Sequence, residues 1–336
     1  MNTALHYDAA KLQCPSCQQP ALQAQDALLR CTQCGQRFPV QAGIPHLLST
    51  DSPTTRLTDI DYDDHHNIDE GARESVGLNW ATVLPDALGD VLEVGAGTGQ
   101  LSWNLAHRFN SRSVHVTDIA PEFVESTQQL IGQTAMPVFY YACDANHLPF
   151  SNNSFDTVLG NSVLHHFLDY PDMLKRIHGL LRPGGRAIFY EPVLQGKIMI
   201  AFLTSLILKI ETKTQLGGFD EHDIAALEKL VHHLTKAQHV GDDRERLAAM
   251  EDKYIFDIHA IEKLGLSLGY QSVRHQNSRL ADGQFRINLR QHLLLAGLSD
   301  DKIKAYRFML NTYKDILIDL IPNDQITPMG FFTFTR

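Results

Sequence analysis

Four of the five cysteines lie within the first 34 residues, in two pairs of identical spacing. The pairs are Cys14-Pro-Ser-Cys17 and Cys31-Thr-Gln-Cys34, and Gly35 follows the second pair, where it can supply a positive φ. Two such turns can direct four thiolates at one ion, which is the tetrahedral donor set that structural Zn²⁺ prefers. Because four thiolates leave no open coordination position, we expect a zinc ion that stabilises a small fold and does no chemistry.

A second group of candidate residues surrounds a glycine-rich turn. The apolar run Asp90-Val-Leu-Glu-Val94 ends in Gly95-Ala-Gly-Thr-Gly99, and a helical pattern follows. Such a turn lets a ligand lie against bare backbone at a helix N-terminus. The next predicted strand, Ser113–Thr117, ends in Asp118, nineteen residues after the last glycine of the turn. A carboxylate in this position is placed to accept hydrogen bonds from ribose hydroxyls.

Later strands deliver further polar residues to the same edge of the predicted sheet. A strand over Val138–Ala142 leads to Cys143-Asp-Ala145, and a strand over Ser154–Asn161 leads to Val163-Leu-His-His-Phe167. Leu181-Arg-Pro-Gly-Gly185 then precedes a fifth strand over residues 186–191. In an open α/β sheet, ligands bind beyond the carboxyl ends of the strands, so these residues are expected to meet there.

This ordered set of motifs, over residues 88–192, resembles the class I S-adenosylmethionine-dependent methyltransferases. The likeness is greatest to the group that includes the ubiquinone and menaquinone C-methyltransferases. A glycine turn alone is shared with NAD enzymes, but this one lacks the wider spacing of the dinucleotide fingerprint. The resemblance implies an α/β fold with a doubly wound, seven-stranded Rossmann-like sheet, and S-adenosylmethionine as methyl donor.

The resemblance also implies a role for each matching residue. Glu93 would organise the loop, Asp118 would hold the ribose and Ile119 would lie against the adenine ring. The loop residues expected along the methionine and ribose portions of the cofactor are Gly95, Ala96, Gly97 and Gly99. All of these positions lie in or directly after the first two strands of the predicted sheet.

The third and fourth strands complete the implied site. Asp144 would accept a hydrogen bond from the adenine amine beside the backbone of Ala145, and Asn161 would face the methionyl group and the transferring methyl. His165 and His166 follow the fourth strand, and imidazole titrates in the range that suits a general base. In the resembling family this pair often serves packing and helix capping, so the catalytic and structural interpretations both stay open.

The cysteine-containing segment has a resemblance of its own. With the continuation from Phe38 to Leu48, residues 12–49 resemble the small zinc-ribbon activator of tRNA, rRNA and release-factor methyltransferases. They are also similar to the ribbon at the front of many bacterial methyltransferases. In that family the ribbon stabilises its partner. Residues 1–50 hold three Lys and Arg against two Asp, a balance that favours a scaffold over an RNA clamp.

The elements that must position these residues divide the chain into four parts. We predict a zinc ribbon over residues 1–49, and a linker with a helix over the cofactor site at residues 50–87. The methyltransferase core is predicted over residues 88–191, 256–279 and 328–336, and a helical cap over the acceptor site at 192–255 and 280–327. Tyr62, His65 and His66 in the linker are further candidates for closing the site.

The stretch from Ile198 to Leu208 is the most apolar in the chain. It is shorter than the roughly 20 residues of a membrane span, so a core or lid helix is expected, with contact to a membrane surface as the alternative. The N-terminal residues lack the pattern of a secretory signal, which favours a cytoplasmic location.

The composition limits the classes of partner. The chain is 43% hydrophobic and 20% charged, as in globular proteins, and its net charge of −10 argues against a general nucleic-acid binder. The predicted function is methyl transfer to a small or medium-sized organic acceptor. The alternatives are methylation of RNA or a translation protein, and a methyltransferase fold kept as a non-catalytic scaffold. The sequence does not indicate an oligomeric state.

Overall fold

A computed structural model of the protein describes residues 7–48, 70–240, 243–250, 252–277, 284–320 and 327–336. The chain folds into two compact units. The first comprises Met1–Phe189, Leu264–Val273 and Phe332–Arg336, and the second comprises Tyr190–Lys263 and Arg274–Phe331. The candidates Tyr62, His65 and His66 lie outside the described residues.

The N-terminal segment of the first unit is a small antiparallel meander. Its strands are β1 (Leu22–Gln25), β2 (Leu28–Cys31), β3 (Arg37–Gln41) and β4 (Ile44–Leu47). Each of the three consecutive pairs is antiparallel. The few buried apolar side chains of these strands, such as Leu29, Phe38 and Ile44, form only a small core. A segment with so small a core is expected to need further stabilisation, such as the predicted zinc ion.

Seven further strands form the main sheet. They are β5 (Gly89–Val94), β6 (Ser111–Asp118), β7 (Val138–Cys143), β8 (Phe155–Asn161), β9 (Leu181–Pro192), β10 (Ser272–Gln276) and β11 (Met329–Thr335). Their order is β7-β6-β5-β8-β9-β11-β10. β5 pairs in parallel with β6 and β8, and β6 pairs in parallel with β7. The predicted doubly wound α/β class is confirmed.

Four helices of the first unit accompany this sheet: α1 (Glu70–Trp80), α2 (Gln100–His107), α3 (Pro121–Ile131) and α4 (Tyr170–Leu180). The central strands are buried along almost their whole length, which is typical of parallel strands covered on both faces. Proline in the first turn of α3 and α4 suits a helix start, because the missing N–H would have had no partner there.

The second unit is helical. Its elements are α5 (Leu194–Thr214), α6 (Glu221–Val240), α7 (Arg244–Ala248), the start of α8 (Ile258–Ser267), α9 (Gln284–Leu295), α10 (Asp300–Lys304) and α11 (Arg307–Leu320). Buried side chains from five of them, including Ile207, Leu227 and Leu293, form a core within this unit. Among the described residues, no helix combines the length and apolar character that crossing a bilayer requires.

Two differences from the sequence-based expectation have physical reasons. The fifth strand begins at Leu181 and not at Arg186, since Gly184 and Gly185 exchange backbone hydrogen bonds with Arg336 near the end of β11. The sheet also continues beyond the predicted seven strands. β4 pairs in parallel with β7 through His46 opposite Ala142 and Leu47 opposite Cys143, so the ribbon extends the sheet to eleven strands.

Candidate functional site

The four N-terminal cysteines form one cluster. Their Sγ atoms all lie within 4.8 Å of one another, and the Cys14–Cys34 and Cys17–Cys31 sulfur atoms are 3.6 Å apart. Four thiolates at about 2.3 Å from one Zn²⁺ in a tetrahedron would have sulfur–sulfur distances of about 3.8 Å. The donor set and its spacing therefore fit a structural zinc ion, as predicted.

Local backbone conformation produces this cluster. In each C-x-x-C turn the first cysteine carbonyl accepts a hydrogen bond from the residue after the second cysteine, Gln18 N–H at 2.8 Å and Gly35 N–H at 3.0 Å. Both Gln18 and Gly35 have positive φ, at 57° and 79°. Glycine adopts this conformation without steric cost, which confirms the reason for its position after Cys34.

The segment before the cysteines is attached to the core by backbone hydrogen bonds. Gln13 N–H donates to the Pro149 carbonyl and Ser151 N–H donates to the Lys11 carbonyl, both at 2.9 Å. With the β4–β7 pairing, the ribbon thus contacts the core on both sides of its cysteine cluster. Nothing local in the sequence indicates these contacts.

The turn after β5 is an open backbone cradle. Gly95, Gly97 and Gly99 all have positive φ, at 69°, 51° and 76°. A Cβ at Gly95 would lie 2.5 Å from a methyl of Val163, and one at Gly99 would lie 2.6 Å from Thr127 Oγ1. A Cβ at Gly97 would meet nothing within 4 Å. Two glycines therefore permit close packing, and the third leaves free space against bare backbone between them.

Asp118, at the end of β6, is held by this turn. Its Oδ2 accepts from Gly97 N–H and its Oδ1 from Ala120 N–H, each at 2.9 Å. Burial raises the pKa of this carboxyl, and the two backbone donors act in the opposite direction. A carboxylate has about four lone-pair positions, so two more hydrogen bonds can be accepted from a ligand diol. Ile119, the candidate adenine contact, is half-buried beside it.

Glu93, near the end of β5, lies beneath the turn and is only 1% exposed. Ser102 Oγ, on α2, donates to its carboxylate, and Thr117 Oγ1 donates to its main-chain carbonyl. Burial raises the pKa of Glu93 to about 8, and the nearby Asp118 acts in the same direction. Its position supports the predicted role in organising the loop. Ser102 is a functional neighbour that the sequence analysis did not identify.

Asp144 follows β7 and is buried. Its Oδ1 accepts from the main-chain N–H of Asn146 at 2.9 Å and from the side-chain amide of Asn146 at 2.8 Å. It thereby caps the short 3-10 turn Ala145–His147. The second oxygen lies 3.7 Å from His147 Nδ1, a distance that makes an ion pair only when the imidazole is protonated. Asp144 and Ala145 thus occupy the strand end where the adenine contact is expected.

Asn161 closes β8 at the level of the glycine turn. Glu93 pairs with Leu159 in the parallel β5–β8 ladder, so Gly95 and Asn161, each two residues further on, lie at the same level of the sheet. Its side-chain Oδ1 accepts from the indole N–H of Trp80 at 3.0 Å. Trp80 is fully buried at the end of α1. The sequence predicts the helix but not this contact, which joins residues 81 positions apart.

His165 and His166 lie in the 3-10 turn Leu164–His166, directly after β8. Their ring centroids are 4.0 Å apart, and His165 is buried while His166 is partly exposed. Both follow the strand end as predicted. The geometry is compatible with a catalytic role and with a packing role, so the assignment stays a prediction.

The central part of the chain matches a known family. Residues 91–185 fit the family model of the methyltransferase domain. This range contains the glycine turn, Asp118, Asp144 and Asn161, and it ends at the Gly184-Gly185 pair.

Several curated proteins are similar over the same region. The mitochondrial arginine-hydroxylase NDUFAF5 of Mus musculus is 30% identical over 170 residues, 49% of this chain and 47% of that protein. Demethylmenaquinone methyltransferase of Deinococcus radiodurans is 28% identical over 124 residues, 37% of this chain and 50% of that protein. The uncharacterized methyltransferase YodH of Bacillus subtilis is 33% identical over 118 residues, 35% and 48% respectively. The chain spans at most half the length of these relatives.

Solved structures show more distant likenesses. Phosphoethanolamine N-methyltransferase 2 of Haemonchus contortus with S-adenosyl-L-methionine gives a TM-score of 0.45 at 17% identity, over 78% of this chain and 52% of that one. A complex of the Haloferax volcanii Trm112 methyltransferase activator with a methyltransferase gives 0.46 at 14% identity, over 82% and 97%. Both TM-scores are below 0.5, so neither likeness carries an argument about function.

Proposed function

We propose that the chain is a class I S-adenosylmethionine-dependent methyltransferase and that it transfers a methyl group to a small or medium-sized organic acceptor. The observation that carries the proposal is the arrangement around Asp118. A buried carboxylate is fixed by two backbone N–H groups. One of them belongs to Gly97, the loop residue where an added Cβ would meet no atom within 4 Å. This combination supports a ribose site beside a backbone cradle.

The remaining carboxyl-edge residues support the rest of the cofactor site. Asp144 and Ala145, one strand further along the sheet, suit the adenine ring, with Ile119 between them and the ribose position. Glu93 and its bond from Ser102 stabilise the base of the turn. Asn161 and the turn from Gly95 to Gly99 suit the methionine portion.

S-adenosylmethionine supplies a methyl group already activated on a sulfonium, so little covalent catalysis is required of the protein. The enzyme must hold the acceptor atom about 3 Å from the methyl group, in line with the sulfur, and exclude water. His165 and His166 are the candidates for removing a proton where the acceptor is a hydroxyl or an acidic carbon.

The chemistry of the acceptor is inferred from charge and from the helical unit. The net charge of −10 gives no general attraction for a polynucleotide, and the apolar helices suit a small organic molecule better. That residues 192–255 and 280–327 cap the acceptor site stays a prediction. The four-thiolate cluster suits a reducing compartment, and we therefore propose a cytoplasmic location.

Methylation of RNA or of a translation protein is the second candidate, favoured by the N-terminal ribbon. A third possibility, a domain without methyl transfer, follows from the general rule that fold does not fix function. One similar protein is named an arginine-hydroxylase and another a demethylmenaquinone methyltransferase, so relatives of this domain carry different activities.

A labelled-methyl assay distinguishes these possibilities. The protein is incubated with S-adenosylmethionine carrying a labelled methyl group and with host extract, which is then separated into RNA, protein and small molecules. We expect label in the small-molecule fraction, with none in reactions of the Asp118→Ala variant. Label in RNA or protein would favour the second candidate. Tight cofactor binding without transfer to any fraction would contradict the enzymatic proposal.

The zinc site has a separate test. Cys14→Ser removes one of four thiolates, so we expect zinc content to fall from one ion per chain to near zero. Loss of about 3 kcal/mol or more of unfolding free energy would lower the melting temperature by about 4 °C or more. Cys143→Ala, which changes the one cysteine outside the cluster, is the matched control and should keep the ion. Full zinc content in Cys14→Ser would refute the four-thiolate assignment.

A further inference from the structure

We propose that Trp80 is a positioning residue, whose indole N–H orients the side-chain amide of Asn161 so that its two N–H donors face the cofactor site. The inference rests on the proposed function, because it assigns a task to Asn161 within the S-adenosylmethionine site. It adds a residue from outside the glycine and aspartate motifs to the machinery of that site.

The direction of the bond follows from the chemistry of the two side chains. An asparagine amide carries an acceptor oxygen and a donor nitrogen of nearly equal size, so its orientation must be inferred from its partners. Indole N–H is a donor only. The atom of Asn161 that lies 3.0 Å from Trp80 Nε1 is therefore the carbonyl oxygen. The amide nitrogen occupies the opposite end of the group.

Trp80 is held in place by the packing of α1 on α2. A Cβ at Gly77 would lie 2.2 Å from Asn104 Oδ1, so the two helices approach closely at this glycine. The side-chain amide of Asn104 donates to the Arg73 carbonyl at 2.9 Å. Glu74 and Arg108 form an ion pair between the same helices. The indole is thus fixed by a helix with several independent attachments.

The position of Asn161 makes its orientation matter. The residue lies at the level of Gly95, and the chain immediately beyond it packs against the turn, since Val163 is the side chain that a Cβ at Gly95 would strike. Two amide N–H groups at this point can donate to a carboxylate or carbonyl oxygen of a ligand. Without a fixed partner, the amide could turn over and place its own oxygen at this point part of the time. That oxygen would repel the oxygen of the ligand.

A double-mutant cycle tests the inference in the zinc-loaded protein. All variants carry Trp103→Phe, so that Trp80 is the single remaining tryptophan where it is present. The affinities for S-adenosylmethionine and S-adenosylhomocysteine are measured by calorimetry for this background, Trp80→Phe, Asn161→Ala and the double variant. Trp80→Phe keeps a six-membered aromatic ring in the buried position and removes the N–H donor together with the five-membered ring of the indole.

We expect Trp80→Phe to weaken binding about tenfold, the effect of one lost hydrogen bond of about 1.4 kcal/mol. Asn161→Ala should weaken it at least as much, and adding Trp80→Phe to Asn161→Ala should change the affinity less than twofold. Non-additivity of this size is expected only when one residue acts through the other. In the background protein, the emission of Trp80 should change when ligand binds.

Leu78→Ala is the matched control, because it changes an exposed side chain on the same helix and should bind as the background does. Binding within twofold of the background for Trp80→Phe, or additive effects of the two variants, would overturn the proposal. If Trp80→Phe does not fold, Asn161→Asp gives the test: it keeps an acceptor for Trp80 and loses both donors, so unchanged affinity would overturn the proposal. Failure of the background protein itself to bind either ligand would contradict the proposed function instead.

Discussion

Two acidic residues of the same strand have opposite environments. Asp90 and Glu93 are three positions apart on β5, and both are less than a tenth exposed. The pKa of Asp90 is lowered to about 2, because hydrogen bonds from Arg112, Ser113 and Arg182 outweigh the effect of burial. The pKa of Glu93 is raised to about 8 by burial. The sheet therefore has one edge where carboxylates are paired with cations and one where they are not.

The amino ends of the parallel strands, here called the amino edge, hold a compact ion network. Arg112 and Arg182 both bind Asp90 and Asp156, and Lys11 of the N-terminal segment lies 3.8 Å from Asp90. These charges satisfy one another within the protein. The network joins the starts of four strands and engages the carboxylates of both Asp90 and Asp156.

At the carboxyl edge, Glu93 and Asp118 have no ion-pair partner among the residues that the structure describes. Their partners are a hydroxyl and backbone N–H groups. Buried carboxylates with raised pKa values and no cation are characteristic of functional sites. Ion pairs stabilise the first edge, and the unpaired carboxylates of the second are consistent with the proposed ligand site.

Asp118→Ala should produce the largest effect. We expect S-adenosylmethionine affinity to fall at least 100-fold, because hydrogen bonds from ribose hydroxyls to a charged acceptor contribute about 1.5–3 kcal/mol each. Calorimetry measures the affinity, and circular dichroism checks that the variant is folded. Asp90→Asn, at the opposite edge, is the matched control and should bind as the wild type does. Unchanged affinity in Asp118→Ala would remove the ribose assignment.

Glu93→Gln tests the pH dependence of the carboxyl edge. A carboxyl whose folded-state pKa is raised from 4.5 to about 8 contributes stability that is present below pH 4.5 and is lost as the pH rises through 8. Between pH 6 and pH 8 the ligand-free wild type should lose about 2 kcal/mol relative to Glu93→Gln, since one pKa unit corresponds to 1.36 kcal/mol. Urea unfolding at several pH values measures the difference. Glu122→Gln, at an exposed position, is the control, and parallel curves for wild type and Glu93→Gln would contradict the assignment.

Asp90→Asn should show the smaller, opposite behaviour. Its folded-state pKa is lowered from 3.8 to about 2, so its contribution to stability is present above pH 3.8 and is lost as the pH falls through 2. At pH 7 we expect the variant to lose about 1 to 2 kcal/mol of unfolding free energy, a modest cost because Arg112 is largely exposed. Urea unfolding provides the value, with the exposed Asp86→Asn as control. If Asp90→Asn lost cofactor affinity without losing stability, the assignment of Asp90 to a stabilising ion network would be contradicted.

Motif spacing predicted most of the carboxyl edge. Asp118 and Asn161 end their strands, and the glycine turn and Asp144 directly follow theirs, so their meeting at one edge follows from parallel strand order. The cysteine cluster was equally predictable from the sequence, because its four cysteines lie within a segment of 21 residues. In both cases, the spacing of the residues along the chain is enough to predict that their side chains lie close together.

Contacts between distant segments were not predictable in this way. The parallel pairing of β4 with β7 joins residues almost a hundred positions apart through backbone groups, which carry no sequence signature. The Trp80–Asn161 bond and the Ser102–Glu93 bond depend on helix placement over the sheet. The amino-edge network similarly joins Lys11, Asp90 and Arg182, and only the folded chain brings them together.

The most direct test of the difference between the edges is a crystal structure of the zinc-loaded protein soaked with S-adenosylhomocysteine. We predict that the ribose hydroxyls lie about 3 Å from the Asp118 carboxylate, with the ligand against the open side of Gly97 and the Asp90 edge empty of ligand. Density for the nucleoside at any other place, or none at saturating ligand in crystals that leave the turn accessible, would contradict the assignment of the carboxyl edge.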